Sequence, residues 1–519
     1  MRVQLIHPPA HVNPNALTAL RPAPPLGLAY VAAALRKAGH DVRLLDCLME
    51  APDRMAPEGP FYRLGLSDDE ILDRIDPEAQ VLGLTNMWTY AWPGLRPLVR
   101  RLKERFPEKT LVCGGEHFTG LAEHSMREAP IDYIVLGEGE QVAVDLLARL
   151  ESGQPFDPAE VGGICWRKGD EVVRNQKAPR MRDVDEIEWP AWDLFDLDGY
   201  DRHRYSSGTY FGKSVPILAT RGCPYQCTYC ASPGMWGTRW YARDPSEVVD
   251  EMEHYVRQYG ATDFPFQDLT ASLKKDWVVN FSKEIIKRKL KIHWQLAVGT
   301  RCEIMDDEVC QLLYESGCNT LYFAPESGSE ETRRLIKKKM KTESLMNAVD
   351  ATIRSNITLG IFLVIGFPHD RVEHLRDTVR MVRELARRGV EDICVPVFFP
   401  IPATELYNEL VAKGRLVPSD DVFRTPMLTH SKWVSDERNF CEHISSNRLA
   451  FYKYWIVANF YLTAWATHPR RILRILRNVV REKESSKIES FLIDTKRRVL
   501  KRLGIAGRPG FARRAPVVH

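Results

Sequence analysis

Three cysteines, Cys223, Cys227 and Cys230, stand at spacings of four and three in Ala219-Thr-Arg-Gly-Cys223-Pro-Tyr-Gln-Cys227-Thr-Tyr-Cys230, directly after an apolar run. Thiolates this close on one loop can converge on a single metal centre. A structural zinc usually takes four protein ligands, and no second Cys-x-x-Cys pair stands elsewhere to complete such a site. Three ligands on a four-iron cluster instead leave one iron open to a small molecule. Zinc, and three packed thiols with no metal, are the competing readings. The chain has 11 cysteines, an odd number, and its Met1-Arg-Val-Gln-Leu-Ile6 start runs into His7-Pro8-Pro9 without the pattern of a signal peptide. A disulfide framework is therefore not expected, and folding in the cytoplasm is.

The elements that must carry such a loop are legible in the alternation of apolar runs. With 519 residues, 44% hydrophobic and 27% charged, the chain has an ordinary globular composition and room for about three domains. From residue 1 to 150, short runs at Val3–Ile6, Val42–Leu45, Val81–Leu84, Leu111–Cys113 and Tyr133–Leu136 alternate with helical patterns, as in a parallel, doubly wound α/β sheet. Residues 151–210 are richer in Pro, Asp, Arg and Gly and read as a connecting region. A second series, at Val215, Thr262–Phe266, Ile292–Val298, Thr320–Phe323, Thr358–Ile365 and Ile393–Phe398, predicts a partial (β/α)6 barrel over 211–400. Residues 401–519 read as an α-rich domain with a flexible basic tail.

The C-x-x-x-C-x-aromatic-C pattern after the first barrel strand, with Tyr229 at the aromatic position, resembles the radical S-adenosylmethionine (SAM) enzymes over roughly residues 210–400. The resemblance implies that Cys223, Cys227 and Cys230 hold a 4Fe-4S cluster whose open iron chelates SAM, from which one electron releases a 5'-deoxyadenosyl radical. It also implies that Asp268, in Phe264-Pro-Phe-Gln-Asp268, or its neighbouring backbone meets the cofactor's amino group. Arg301 would pair with the methionyl carboxylate, and Glu326 would bind the ribose or order the site. Glu326 lies in Tyr322-Phe-Ala-Pro-Glu326-Ser-Gly-Ser329, similar to the family's glycine-glutamate-serine-glycine turn, with Pro325 in place of a small residue. Gly366-Phe-Pro368 matches a turn that borders adenine, while Pro402-Ala403 matches the family's last segment only loosely.

The first domain resembles the cobalamin-binding module that precedes many radical SAM enzymes. Pro24-Pro25-Leu-Gly-Leu-Ala-Tyr30, Gly114-Gly115-Glu-His-Phe-Thr119 and Asp132-Tyr-Ile-Val-Leu-Gly137-Glu138-Gly-Glu140 follow in the same order. Glycines after strands let backbone approach a ligand at the carboxyl edge of the sheet. The aspartate-x-histidine-x-x-glycine motif that places histidine on cobalt is absent, and His7 and His117 lack its context. The resemblance is thus to the subgroup that holds cobalamin without a lower histidine, and Asn86, Met87 and Trp88, after the third strand, are the residues that could fill that face.

Seventy-two Lys and Arg against 69 Asp and Glu leave a formal +3, too balanced for the whole chain to be an electrostatic nucleic-acid binder. The positive charge gathers at one end. From Arg470 to Arg514 there are 15 Lys or Arg against four Asp or Glu. Arg474, Arg477 and Arg481 interleave with Ile472, Leu473, Ile475, Leu476 and Val479, as in a basic amphipathic helix that rests on anionic lipid or caps the barrel. The aromatic run Leu449–Ala466, interrupted by Lys453 and Asn459, falls short of a membrane span. Nucleic acid is not an expected partner.

Together the resemblances imply a cobalamin-dependent radical SAM methyltransferase. The adenosyl radical would abstract hydrogen from an unactivated carbon, the carbon would take methyl from methylcobalamin, and a second SAM would restore the donor. A reductant such as flavodoxin or ferredoxin and a small-molecule or lipid substrate, a hopanoid among them, are the expected partners. The alternatives are a cobalamin-binding radical SAM cyclase, oxidase or rearrangement enzyme acting on a tetrapyrrole or antibiotic precursor, and a non-catalytic cobalamin and iron-sulfur sensor.

Overall fold

The computed structural model describes residues 1–13, 21–428 and 435–502. Five parallel strands, β1 (Arg2–His7), β2 (Asp41–Asp46), β3 (Val81–Thr85), β4 (Thr110–Gly114) and β5 (Tyr133–Val135), lie in the order β2-β1-β3-β4-β5. They read as near-continuous apolar runs because both faces are covered. Helices α1 (Leu26–Lys37) and α5 (Gly139–Glu151) bury Leu28, Ala32, Leu35, Val142 and Leu146 on one face. Helix α2 (Trp92–Arg105) buries Trp92, Leu95 and Leu98 on the other, with Met126 of α4 (Ala122–Glu128); α3 (Glu116–Gly120) stands between α2 and α4 in the chain. This is the doubly wound expectation. The strand order changes direction between β1 and β3, so a crevice opens at the carboxyl ends of β1, β3, β4 and β5.

The sheet continues past the expected connector. Within residues 151–210, β6 (Ile164–Lys168) and β7 (Glu171–Arg174) form a hairpin that adds antiparallel to β5. The sequence shows little of this, because Ile164-Cys165-Trp166 is a short apolar run amid turn residues. The open edge of β5, which a single sequence does not display, decides the pairing. A small antiparallel sheet of Ala10–Val12, Met55–Glu58 and Phe61–Leu64 was not expected either.

The second unit is an open barrel of five consecutive parallel strands: β8 (Asp263–Pro265), β9 (His293–Thr300), β10 (Cys318–Glu326), β11 (Thr358–Leu363) and β12 (Asp392–Cys394). The expected strand at Val215 is looser than foreseen. Residues 214–217 meet β8 through single bridges at Ser214 and Ile217 before a short pairing of Thr220–Arg221 with Tyr241–Ala242. Phe264, Trp294, Leu321, Phe323, Ile361 and Leu363 turn outward into one core with the surrounding helices. The cysteine loop follows Thr220–Arg221 and ends in the short helix α6 (Ser232–Trp236). The covering helices are α7 (Pro245–Tyr259), α8 (Lys275–Arg288), α9 (Asp307–Glu315), α10 (Thr342–Arg354) and α11 (Val372–Arg388).

The C-terminal part is helical, as read. After two helices within 405–428, α12 (Ser446–Thr467) packs on α11 and buries Leu449, Ile456 and Phe460. Lys453 and Asn459, which interrupt its apolar run, face inward; the Asn459 side-chain oxygen accepts from Arg383 Nε at 2.7 Å. Helices α13 (Arg470–Arg481) and α14 (Lys487–Arg502) follow. Among the described residues no helix is long and apolar enough to cross a membrane. The tail expected beyond residue 502 lies outside the described residues.

Candidate active site

The cysteine loop is pinned on both sides. Thr228 N–H donates to Ile336 O at 3.1 Å and Thr228 O accepts from Leu406 N at 2.9 Å, so barrel and C-terminal part hold one turn between them. Within it, Cys230 N–H donates to Cys227 O at 3.1 Å and Ser232 N–H points at Cys230 Sγ at 3.5 Å. Burial pushes all three thiols up, Cys230 to about 12, while the cations of Lys338 and Arg301 pull Cys223 and Cys227 back down. Thiols so placed release protons when a metal takes their sulfurs. Among the described residues no group of three or more His, Cys, Asp or Glu is gathered around a point that fits one metal ion.

Around the loop the sequence-derived residues divide. Arg301 lies with its guanidinium 3.8 Å from the centre of the Tyr225 ring, donates to Glu303 and to Lys339 O, and keeps Nη1 buried without a partner. Glu326, at φ 67°, accepts from Tyr229 Oη at 2.8 Å and pairs with Lys338 Nζ at 3.1 Å, while the Tyr229 ring meets Phe367 edge-on. Gly366 donates its N–H to Asp370 Oδ2 at 2.9 Å in the turn after β11. The Asp268 side chain is engaged within the fold. Its carboxylate is buried and accepts from the Ala219 and Thr220 backbone and from Thr220 Oγ1, so it braces the strand that launches the cysteines. Burial holds its carboxyl up at about 6, against those same hydrogen bonds.

Across from this loop stands the glycine edge of the first sheet. Gly115, at φ 110°, passes so close to Asn86 that a Cβ there would meet the Asn86 carbonyl oxygen at 2.6 Å. Thr119 is buried and its Oγ1 accepts from Gly137 N at 3.0 Å, tying the turn after β4 to the turn after β5. Glu138 pairs with Arg180 at 3.1 Å and, with Gly137, Arg221 and Trp236, lines a cavity of about 230 Å³. Trp88 stacks on Tyr90 and is 59% exposed, and Met87 beside it is also exposed, whereas Asn86 is buried with its side-chain nitrogen unpartnered. His7 is bound to Asp46 at 2.9 Å, and His117 is buried against Trp92 and Ser125, so neither reaches this edge as a free ligand. The two edges meet: α3, just after Gly114-Gly115, packs on α6, just after Cys230, and Arg221 pairs with Glu140 of α5 at 2.6 Å.

Comparison with known proteins finds two family models in the chain. The radical SAM superfamily model matches residues 217–382, and the B12 binding domain model matches residues 13–147. The chain thus carries a radical SAM domain and a B12-binding domain. It is 28% identical over 420 residues to an uncharacterized methyltransferase of Pyrococcus horikoshii, covering 80% of this chain and 84% of that one. It is 29% identical over 431 residues to an anaerobic magnesium-protoporphyrin IX monomethyl ester cyclase of Synechocystis, covering 81% and 79%. Its fold is shared with the radical SAM methyltransferase TsrM of Kitasatospora setae, at a TM-score of 0.62, 20% identity and coverage of 79% and 78%.

The two models name S-adenosylmethionine and B12 chemistry, and among the solved structures TsrM carries cobalamin and a [4Fe-4S] cluster and OxsB carries aqua-cobalamin and S-adenosylmethionine. The residues of this chain fit these groups. Three thiols on one loop suit the spread corners of a cluster, and the orphaned Arg301 Nη1 beside them suits an anionic ligand group. Gly115 holds the turn after β4 against the Asn86 backbone at the carboxyl edge of the sheet, the edge at which doubly wound folds bind their cofactors.

Three residues of the enzyme's site escaped sequence reasoning. Lys338 and Tyr225 sit in no pattern that sequence alone marks. Glu116 follows Gly115 and is pushed up by burial to about 7, facing Cys230 across the interface. Adjacency to the glycine pair was the one available signal.

Proposed function

We propose that this enzyme is a cobalamin-dependent radical SAM methyltransferase acting on an unactivated carbon. The observation that carries the reading is the shared interface: the cysteine loop and the Gly114-Gly115 edge face one another through α3 and α6. In this reading residues 1–150 hold cobalamin, 151–210 connect, 211–400 hold cluster and SAM, and 401–519 complete the substrate side. The bound cofactors would supply a 5'-deoxyadenosyl radical and a transferable methyl group. The chain's own part is positional. Cys223, Cys227 and Cys230 would ligate the cluster, Arg301 would take the methionyl carboxylate, and Glu326, fixed by Tyr229 and Lys338, would present its second oxygen to the ribose. The turn at Gly366 would border adenine. Gly114, Gly115, Thr119, Gly137 and Glu138 would cradle cobalamin, with Trp88 in reach of its lower face.

Anaerobic reconstitution with iron, sulfide and cobalamin, then SAM and a strong reductant, tests the reading. Formation of 5'-deoxyadenosine together with S-adenosylhomocysteine is expected. 5'-Deoxyadenosine without S-adenosylhomocysteine would favour the second reading, a cyclase or oxidase, which the likeness to the protoporphyrin ester cyclase supports. We also place the protein in the cytoplasm at the inner membrane face. Phe451, Trp455, Leu462 and Trp465 of α12 and Leu473, Leu476 and Val480 of α13 are exposed, and Arg470, Arg477 and Arg481 stand beside them.

A further inference from the structure

A cation that neither cofactor site uses stands at the barrel wall. Lys487 opens α14, and Asp392, which begins β12, accepts the backbone N–H of Lys487 at 2.8 Å and of Ile488 at 3.3 Å. This fastening directs the Lys487 side chain to the Tyr322 and Phe362 rings, with Nζ 4.1 and 4.5 Å from their centres. The rings themselves stack at 5.0 Å. Tyr322 and Phe362 alternate along β10 and β11 with Leu321, Phe323, Ile361 and Leu363, which pack outward, so the sandwich faces the lumen. Burial pushes the thiol of Cys394, the last residue of β12, up, against the pull of the nearby charges of Lys487 and of Lys453 on α12. Val298, in the stretch of β9 where its register with β10 shifts, is 45% exposed although β9 has a strand on either side, so this stretch is open to solvent.

Among the described residues the Lys487 ammonium has aromatic faces as partners and no hydrogen bond or ion pair of its own. The nearby Asp392 carboxylate is spent on the start of α14 and on Tyr461 Oη at 3.5 Å. An ammonium held against the lumen-facing Phe362 ring offers a charge on the side of the barrel where, in the methyltransferase reading, the substrate lies. A neutral hydrocarbon would leave that charge desolvated and unpaired, whereas an anion would pair with it. We infer that Lys487 anchors an anionic group, a carboxylate or a phosphate, of an amphiphilic substrate whose apolar body lies along the barrel wall. The inference rests on the radical methyltransferase reading for where the substrate lies, and it narrows the substrate class away from uncharged polycyclic lipids.

The test is calorimetric titration of the anaerobically reconstituted holoenzyme with octanoate, octyl phosphate and octanol. Wild type should bind at least one of the anions at least about tenfold more tightly than octanol, the factor of one charge-assisted hydrogen bond. The preferred anion identifies the headgroup. Lys487→Met should lose about that factor and Lys487→Arg should keep most of it. Equal binding of octanol and the anions, no binding of either anion, or an unchanged Lys487→Met would each overturn the inference, and the wild-type comparison stands even if a variant folds poorly. Formation of 5'-deoxyadenosine in the same preparation tests the radical reading separately. Cleavage of SAM without anion binding removes the Lys487 site alone.

Discussion

Cys227 lies within the reach of Lys338, Arg301 and Glu326, so its side chain is a sensitive reporter of the cluster. Cys227→Ala should fold, lose the broad visible absorbance of the reconstituted cluster and lose 5'-deoxyadenosine formation; a variant that retains both would remove the cysteine loop from the mechanism. Gly115→Ala acts on the other side. The φ of 110° and the 2.6 Å approach to the Asn86 carbonyl predict about 1–3 kcal/mol of strain and weaker retention of cobalamin on gel filtration. Asp263 is a purely structural case. Burial holds its carboxyl up at about 8, above the ordinary 3.8, against hydrogen bonds from Gln295 and Ser214. A folded-state value above the unfolded one means that its contribution is intact below about pH 4 and is lost as pH rises toward about 8, at up to about 1.4 kcal/mol per unit. Asp263→Asn should therefore gain on wild type in urea denaturation from pH 4 to pH 8, and a pH-independent difference would refute the assignment.

At the scale of elements, the joint between the two cofactor units is the decisive feature. Arg221, at the end of the strand that launches the cysteines, is buried with its charge on Glu140 of α5 and its guanidinium 5.1 Å from the Tyr30 ring of α1. Arg221→Ala strands the Glu140 carboxylate in the interface, at a cost of about 3–5 kcal/mol. Limited proteolysis should then find the junction more open, and cobalamin and cluster should each still load; coordinate loss of both would mean a general folding defect. The elements themselves were largely readable. All five parallel strands of the first sheet stand where apolar runs placed them, because a strand buried on both faces needs such a run. The hairpin β6–β7 was not readable, since its partner is the edge of β5 and not its own pattern.

For the whole molecule, the outer faces of α12 and α13 set the expected contact with membrane. Leu473→Asp with Leu476→Asp should reduce co-sedimentation with phosphatidylserine vesicles several-fold and leave SAM cleavage intact. Equal sedimentation would return these helices to the role of a barrel cap. Truncation after residue 469 is a poorer test of that contact. It would also remove Glu484, Ser486, Lys487 and Glu489, and buried Glu484 pairs with Arg21 at 3.0 Å while Lys487 enters the barrel.

What the chain's residues determined alone was local: three thiols at fixed spacing, glycines after strands, and the periods that name sheet and helix, all set by neighbours within a few positions. The turning of Asp268 inward, the assembly of Lys338 and Tyr225 beside the cysteines, the facing of Glu116 toward Cys230 and the insertion of Lys487 into the barrel were decided by tertiary structure. Each depends on which surfaces pack together over long sequence separations, and a side chain's charge, exposure and free hydrogen-bonding capacity exist only once those surfaces have met.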